Sequence, residues 1–156
     1  MKKLILVLWC AVSSALLAPS WAQGVSGRGK IYLICDALTT SYTYTQLRGE
    51  IAGFLTEKGY SLSNSADDAT WTIQVYGSAG GQKKSTIGSH SLYSQDVTVS
   101  IMIDRGAFAK RVYETTLKVS GKHTDDFDEA ALDAYKRLTP QICDIIQQQI
   151  ISPNTQ

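Results

Sequence analysis

The sequence is poor in the residues from which most metal and nucleophilic sites are built. It has two histidines, His90 and His123, and three cysteines in 156 residues. A stable transition-metal site needs three or four nitrogen, sulfur or carboxylate ligands, so this inventory predicts none. There is no Gly-x-Ser-x-Gly elbow, and Lys84-Ser85 lacks the preceding glycine of a phosphate-binding loop. We therefore expect no cofactor, no metal and no catalytic residue.

The sequence also lacks an excess of either charge. Lys and Arg number 15 and Asp and Glu number 14, giving a formal net charge of +1. Lys83-Lys84 and Lys110-Arg111 are isolated pairs, and solvated turns explain them without any ligand. Nucleic-acid binding needs clustered positive charge. We therefore do not expect a nucleic-acid partner.

The one long apolar run, Leu4–Leu17, is shorter than the roughly 20 residues that a membrane-spanning helix needs. Lys2 and Lys3 precede it, and Ser20 and Ala22 supply small residues for a peptidase. This layout predicts a signal peptide, residues 1–22, and an exported chain that does not span the membrane. Cys10 lies inside the apolar run without the small residues that precede a lipidated cysteine, so the sequence does not favour lipidation at Cys10.

Two cysteines remain after processing, Cys35 and Cys143. Export favours a disulfide between them. It would close a loop across most of the mature chain, and chain entropy would then stabilise the fold by about 4–5 kcal/mol. The alternative is a pair of buried free thiols, because cysteine is often buried in its own right.

A strand and a helix open the predicted domain. A polar leader, 23–29, precedes the apolar strand 30–35. Thr43 to Gln46 matches a capping box, and Gly59 suits a left-handed helix end. The helix between them carries apolar residues at helical spacing: Leu47, Ile51, Phe54 and Leu55.

Three later segments alternate between apolar and polar residues, as half-buried strands do. The first, 69–76, places Trp71 on the inner face as a core anchor. The segments 97–103 and 113–119 surround the break at 104–106 and predict an antiparallel hairpin. Their inner-face residues are Val97, Val99, Ile101, Ile103, Tyr113, Thr115, Leu117 and Val119.

The glycine-rich stretch 77–90 is either a long mobile loop or a bulged extension of a strand. Tyrosine favours positions that are partly exposed to solvent and is enriched in protein interfaces, although ordinary packing explains each tyrosine equally well. We predict a possible interaction surface around this stretch, formed by Tyr76, Gly80, Gly81, Lys83, Lys84 and Tyr93.

The last predicted helix begins at Asp126, with Glu129 completing a second capping box. Pro140 either kinks this helix or marks a restart capped by Thr139. The predicted order is β-α-β-β-β-α in one domain, 30–151, with a polar tail, 152–156. This order favours a two-layer α+β fold with a three- to four-stranded sheet and two helices on one face.

Several segments together resemble a group of bacterial envelope domains. They are the strand 31–36, the helix ending Phe54-Leu55-x-x-x-Gly59-Tyr60, the strand entry 66–75 and the helix with Ala130-Ala131-x-x-Ala134. The group includes the amino-terminal domain of the TolB protein, the curli-secretion lipoprotein and lipoprotein activators of peptidoglycan synthases. The resemblance implies a non-enzymatic adaptor in the periplasm of a Gram-negative bacterium, although this chain lacks the lipobox of the lipoprotein members.

We therefore expect an exported accessory or assembly factor that acts by contacting another envelope protein. The alternative is a periplasmic module that binds a small ligand or glycan with the glycine-rich loop 77–90. The sequence does not indicate an oligomeric state.

Overall fold

The computed structural model describes residues 28–37 and 41–153. The predicted signal peptide with Cys10, the leader residues 23–27 and the end of the tail from 154 lie outside the described residues. The elements, in chain order, are β1 (Lys30–Ala37), α1 (Ser41–Glu57), β2 (Ser61–Ser63), β3 (Trp71–Ile87), β4 (His90–Arg105), β5 (Lys110–His123), α2 (Phe127–Ile146) and a closing π-helical turn (Gln147–Ile151).

The five strands form one mixed sheet in the order β2-β1-β3-β4-β5. β1 is parallel to β2 and β3, whereas β3, β4 and β5 pair antiparallel. The predicted α+β class is confirmed, but the predicted count of three to four strands is wrong. The extra strand is β2, three mostly exposed residues that carry no apolar alternation. Pairing with β1 rather than any local pattern makes this segment a strand.

Both helices contribute to one core on one face of the sheet, the inner face. The predicted inner residues of β4, from Val97 to Ile103, are 0% exposed. Leu47, Ile51 and Leu55 of α1 are buried in the same core, as their helical spacing predicts, and α1 packs against β1, β2 and α2. Trp71 is only half-buried, and the Arg105 guanidinium lies 5.7 Å from its ring centre, so Trp71 borders the core.

The predicted end signals of the helices are largely confirmed. Gly59 has a φ of +85°, and the Tyr60 amide donates to the Leu55 carbonyl across it, which closes α1. Asp126 caps α2 by accepting a hydrogen bond from the Glu129 amide at 2.8 Å. α1, however, begins at Ser41, so Thr43 lies within the helix rather than before it.

α2 continues through Pro140 as one helix, so a restart at Thr139 is wrong. Proline has no N–H to continue the ladder. The hydroxyl of the preceding residue, Thr139, donates to the Tyr135 carbonyl at 2.9 Å, inside the protein. The Ile142 and Ile146 side chains beyond the proline are 0% exposed, and their burial holds the second half of the helix on the sheet.

The glycine-rich stretch is not a loop, because β3 runs to Ile87 and β4 begins at His90. The pairing shifts once, between Ala79 and Gln82, which identifies the β-bulge that the second interpretation predicts. The Gln95 amide fills this bulge by donating to the Gly80 carbonyl at 2.9 Å. Stretch 77–87 is therefore ordered by antiparallel pairing with β4.

Two glycines let α2 approach the sheet backbone. A Cβ at Gly121 would lie far inside the van der Waals contact distance from the Ala130 carbonyl oxygen and 2.6 Å from the Ala134 nitrogen. A Cβ at Gly77 would lie 3.0 Å from Cζ of Tyr135. Small residues on both surfaces thus set the distance between α2 and the sheet.

We expect Gly121→Ala to destabilise the protein by about 3 kcal/mol, because overpacking here must move a helix backbone and not a flexible side chain. Gly53→Ala is the matched control, since nothing lies within 4 Å of its Cβ position in α1, and it should gain up to about 1 kcal/mol. Urea unfolding of both variants measures the difference. Equal stability of the two variants would contradict the close approach.

Candidate functional site

The sheet face opposite the helices, the outer face, is the candidate site. In the described ranges 28–37 and 41–153, both helices pack on the inner face, so no helix covers the outer one. The pairing registers place Tyr32, Thr72, Asp104 and Arg111 side by side across four strands, and Ile34, Gln74, Met102 and Glu114 in the next row. The outer face therefore combines aromatic, aliphatic and charged groups.

The centre of the outer face is a network around Asp104, which is only 2% exposed. Its Oδ1 accepts from Nε of Arg111 at 2.5 Å, and its Oδ2 accepts from Nε2 of Gln74 at 2.8 Å. The Tyr76 hydroxyl donates to Oε1 of Gln74 at 3.1 Å, and Arg111 also reaches Glu114 at 2.7 Å. The hydrogen bond to Asp104 raises the pKa of Arg111.

This network satisfies a buried charge, which would otherwise be costly. Both carboxylate oxygens of Asp104 already accept hydrogen bonds, so the arrangement positions groups and does not present a free base. Sequence reasoning missed Asp104 because it lies at the predicted break 104–106. An available signal was the polar pattern Thr72, Gln74 and Tyr76 opposite it on a strand with one apolar face.

The β4–β5 turn bends over the outer face towards β1. The Gly106 amide donates to the Thr70 carbonyl at 2.8 Å, and the Thr72 hydroxyl donates to the Gly106 carbonyl at 2.9 Å. Phe108 follows in a left-handed conformation, with a φ of +58°, which is uncommon for a bulky residue. Its ring is 49% exposed and meets Tyr32 edge-on at 6.4 Å. The turn thus adds an aromatic rim to the outer face.

The structure divides the six predicted interaction residues between two faces. By register, Tyr76 and Lys83 lie on the outer face, whereas Lys84 and Tyr93 lie on the inner side. Tyr93 packs edge-on against Phe127 of α2 at 5.0 Å, and the Lys84 ammonium lies 4.9 Å from the Tyr93 ring centre. The remaining two, Gly80 and Gly81, form the bulge beside Asp96.

A second charged group lies on the outer face near the bulge. Asp96 accepts a hydrogen bond from the Ser120 hydroxyl and pairs with Lys118 at 3.2 Å. These contacts, the Ser120 hydrogen bond foremost, lower the pKa of Asp96. Together with Lys83 they give this end of the outer face a polar, mixed-charge character.

The predicted Cys35–Cys143 disulfide is not formed in the structure, where both cysteines are free thiols. Cys35 points from β1 into the core, whereas Cys143 follows the sheet-facing Ile142 by one residue, about 100° around the helix. Burial raises the pKa of Cys35 to about 12 and of Cys143 to about 11. The alternative of free thiols therefore describes this structure, with Cys35 buried and Cys143 half-buried.

The described residues contain no group of three or more His, Cys, Asp and Glu side chains placed to hold a metal ion. None of the helices in the same ranges is long and apolar enough to span a membrane.

The fold is similar to solved structures of Gram-negative bacterial proteins. A minor lipoprotein from Acinetobacter baumannii aligns with a TM-score of 0.52 and 18% identity, covering 75% of this chain and 91% of its own. A protein provisionally described as a neuraminyllactose-binding hemagglutinin homolog, from Helicobacter pylori, aligns with a TM-score of 0.56 and 13% identity, covering 78% and 84%. At these identities the likeness concerns the fold alone.

The rare lipoprotein B from Shewanella oneidensis is more distant, with a TM-score of 0.44 and 16% identity over 79% of this chain and 94% of its own. No protein-family model and no curated protein sequence matches the chain. Two of these three neighbours, the minor lipoprotein and the rare lipoprotein B, are described as lipoproteins. The narrower resemblance to TolB, curli-secretion and synthase-activator domains stays a prediction.

We expect Ser120→Ala to raise the pKa of Asp96 towards its ordinary value of 3.8. Because folding lowers the pKa of Asp96, the contacts of its carboxylate stabilise the fold at pH values above the ordinary pKa. This stabilisation is lost as the pH falls through the folded pKa. NMR titration of the Asp96 carboxyl measures the shift. Ser100→Ala, elsewhere on the same face, should leave it unchanged; an unchanged pKa in Ser120→Ala would refute the contact.

The thiols should react slowly with a disulfide reagent in the native protein at about pH 8, because the raised pKa values leave little thiolate. Cys35, which is 4% exposed, should react after the half-buried Cys143. Mass spectrometry after timed quenching identifies the order, and protein unfolded in urea is the fast control. Two unreactive sulfurs that become reactive only after reduction would instead demonstrate a disulfide.

Proposed function

We propose that this chain is an exported accessory or assembly factor of the Gram-negative envelope that acts, without catalysis, by contacting another envelope protein. The observation that carries the proposal is the open outer face, which presents Tyr32, Ile34, Tyr76 and Phe108 around the Asp104 network. The signal-peptide layout and the similarity of the fold to envelope lipoproteins support the location.

The composition of the outer face suits a protein partner. Tyr76 and Phe108 are 37% and 49% exposed, and aromatic residues are enriched in protein interfaces. The Gln74 and Arg111 hydrogen bonds fix Asp104, so binding would not require this charge to be desolvated anew. A rigid sheet also loses little conformational freedom when a partner docks.

The alternative function, a ligand- or glycan-binding module, was predicted to use a mobile loop at 77–90. The pairing of β3 with β4 removes that loop. The same residues instead form a two-stranded arm, with Ile87 66% exposed near its tip.

Site-specific photo-crosslinking in the native bacterium tests the proposal. Four variants each carry a photoreactive side chain at one position. Tyr76 and Thr116 test the outer face, and Glu57 and Lys136 on the helices are exposed controls. We expect one envelope protein, identified by mass spectrometry, to crosslink at the outer positions and not at the helical ones. Adducts equal at all four positions, or none at any, would refute the outer face as the contact surface.

If no adduct forms and a glycan raises the melting temperature of the pure protein, the alternative function is favoured, because a ligand that binds only the folded state stabilises it.

A further inference from the structure

Within the ranges 28–37 and 41–153, β1 has an open edge beside Arg48, an arginine without an ion-pair partner there. β2 pairs with β1 only from Lys30 to Tyr32, whereas β1 continues to Ala37 and pairs with β3 along nearly all its length. Among the described residues, no strand pairs with the β2-side edge of segment 33–36. Backbone N–H and C=O groups on such an edge are a template for another strand.

An open cleft runs along this edge. Its walls are β1 residues 32–35, Arg48 of α1, and Ser63 and Asn64 at the end of β2. It encloses about 560 Å³, including space open to solvent. The cleft is polar on the α1 side, where Arg48 lies, and borders the outer face on the other, where Ile34 lies.

Arg48 is half-buried, and no carboxylate of the described residues lies within ion-pair distance of it. All 14 Asp and Glu residues belong to the described ranges, so no acidic side chain from elsewhere in the chain can neutralise Arg48. A half-buried guanidinium in a cleft favours a carboxylate, which it can bind with two parallel hydrogen bonds.

The end of β2 limits what can enter. Ser63 turns the chain out of the sheet, with its hydroxyl donating to the Ser65 carbonyl at 2.8 Å and accepting from the Ser65 amide at 3.2 Å. A strand added along segment 33–36 would meet this turn and must stop there. A chain terminus stops without needing a turn of its own, and the charge of Arg48 selects the carboxyl terminus over the amino terminus.

We propose that this cleft binds the carboxyl-terminal segment of a partner protein, as a short strand added antiparallel to β1 with its terminal carboxylate on Arg48. The backbone edge of β1 supplies affinity, as in other cases of strand addition. Ile34 and Leu33, on opposite faces, contact alternate side chains of the added strand. The site deepens the proposed function by naming a partner feature, and it does not use the Asp104 network.

Three pools of fluorescein-labelled hexapeptides test the proposal against the protein purified after export. All three carry Val, Ile or Phe at alternate positions. The first pool has a free carboxyl terminus, the second a terminal amide, and the third a free terminus with alternate backbone amides N-methylated. We expect fluorescence anisotropy to show at least about tenfold tighter binding of the first pool than of the second, because the terminal amide of the second pool removes the charged acceptor. The third pool keeps that acceptor but should bind more weakly than the first, because its methylated amides cannot pair with the β1 edge.

Arg48→Gln should abolish the difference between free and amidated pools, whereas Lys136→Gln, which removes an exposed charge from α2, should preserve it. Melting temperatures of both variants verify that they fold. Failure of the wild type to bind the first pool, equal binding of the first two pools, or a difference that survives in Arg48→Gln would each overturn the proposal. Crosslinking at Tyr76 and Thr116 without peptide binding would remove this site and leave the proposed function standing.

Discussion

The close approach of α2 to the sheet is the constraint on which the rest of this structure depends. At Gly121 the helix backbone lies where a β-carbon would otherwise be, and at Gly77 the Tyr135 ring uses the same kind of space. The alanines of α2 that face β5, Ala130 and Ala134, make this distance possible. Because packed interiors tolerate little change in volume, this contact sets the height of the helical layer and so the depth of the core.

Both helices pack on the inner face of the sheet, and the outer face contains a buried carboxylate, Asp104. Gln74, Arg111 and the strands that carry them surround Asp104 and make its burial tolerable. The fixed network then supports the exposed aromatic rim made by Tyr32 and Phe108. The two faces of the sheet are therefore held together differently, the inner face by aliphatic packing and the outer face by hydrogen bonds and ion pairs around Asp104.

The sheet edges differ in how they are protected. The arm of β3 beyond its pairing with β1 carries a bulge and the lysines Lys83 and Lys84, both of which discourage edge-to-edge association. Segment 33–36 of β1 has neither device and lies beside Arg48. The arm of β3 is thus protected against pairing with another strand, whereas segment 33–36 of β1 is open to one.

The sequence by itself determined the class of the fold, the helix ends at Gly59 and Asp126, and the buried face of β4, because each depends on local spacing and local hydrogen bonding. It left open whether 77–90 is a loop, and only pairing with β4 decided that. The tertiary structure alone made β2 a strand, kept α2 continuous through Pro140, left Cys35 and Cys143 as free thiols, and brought Asp104 to Gln74 and Arg111. These outcomes depend on contacts between residues far apart in the chain, and no local pattern of residues encodes such contacts.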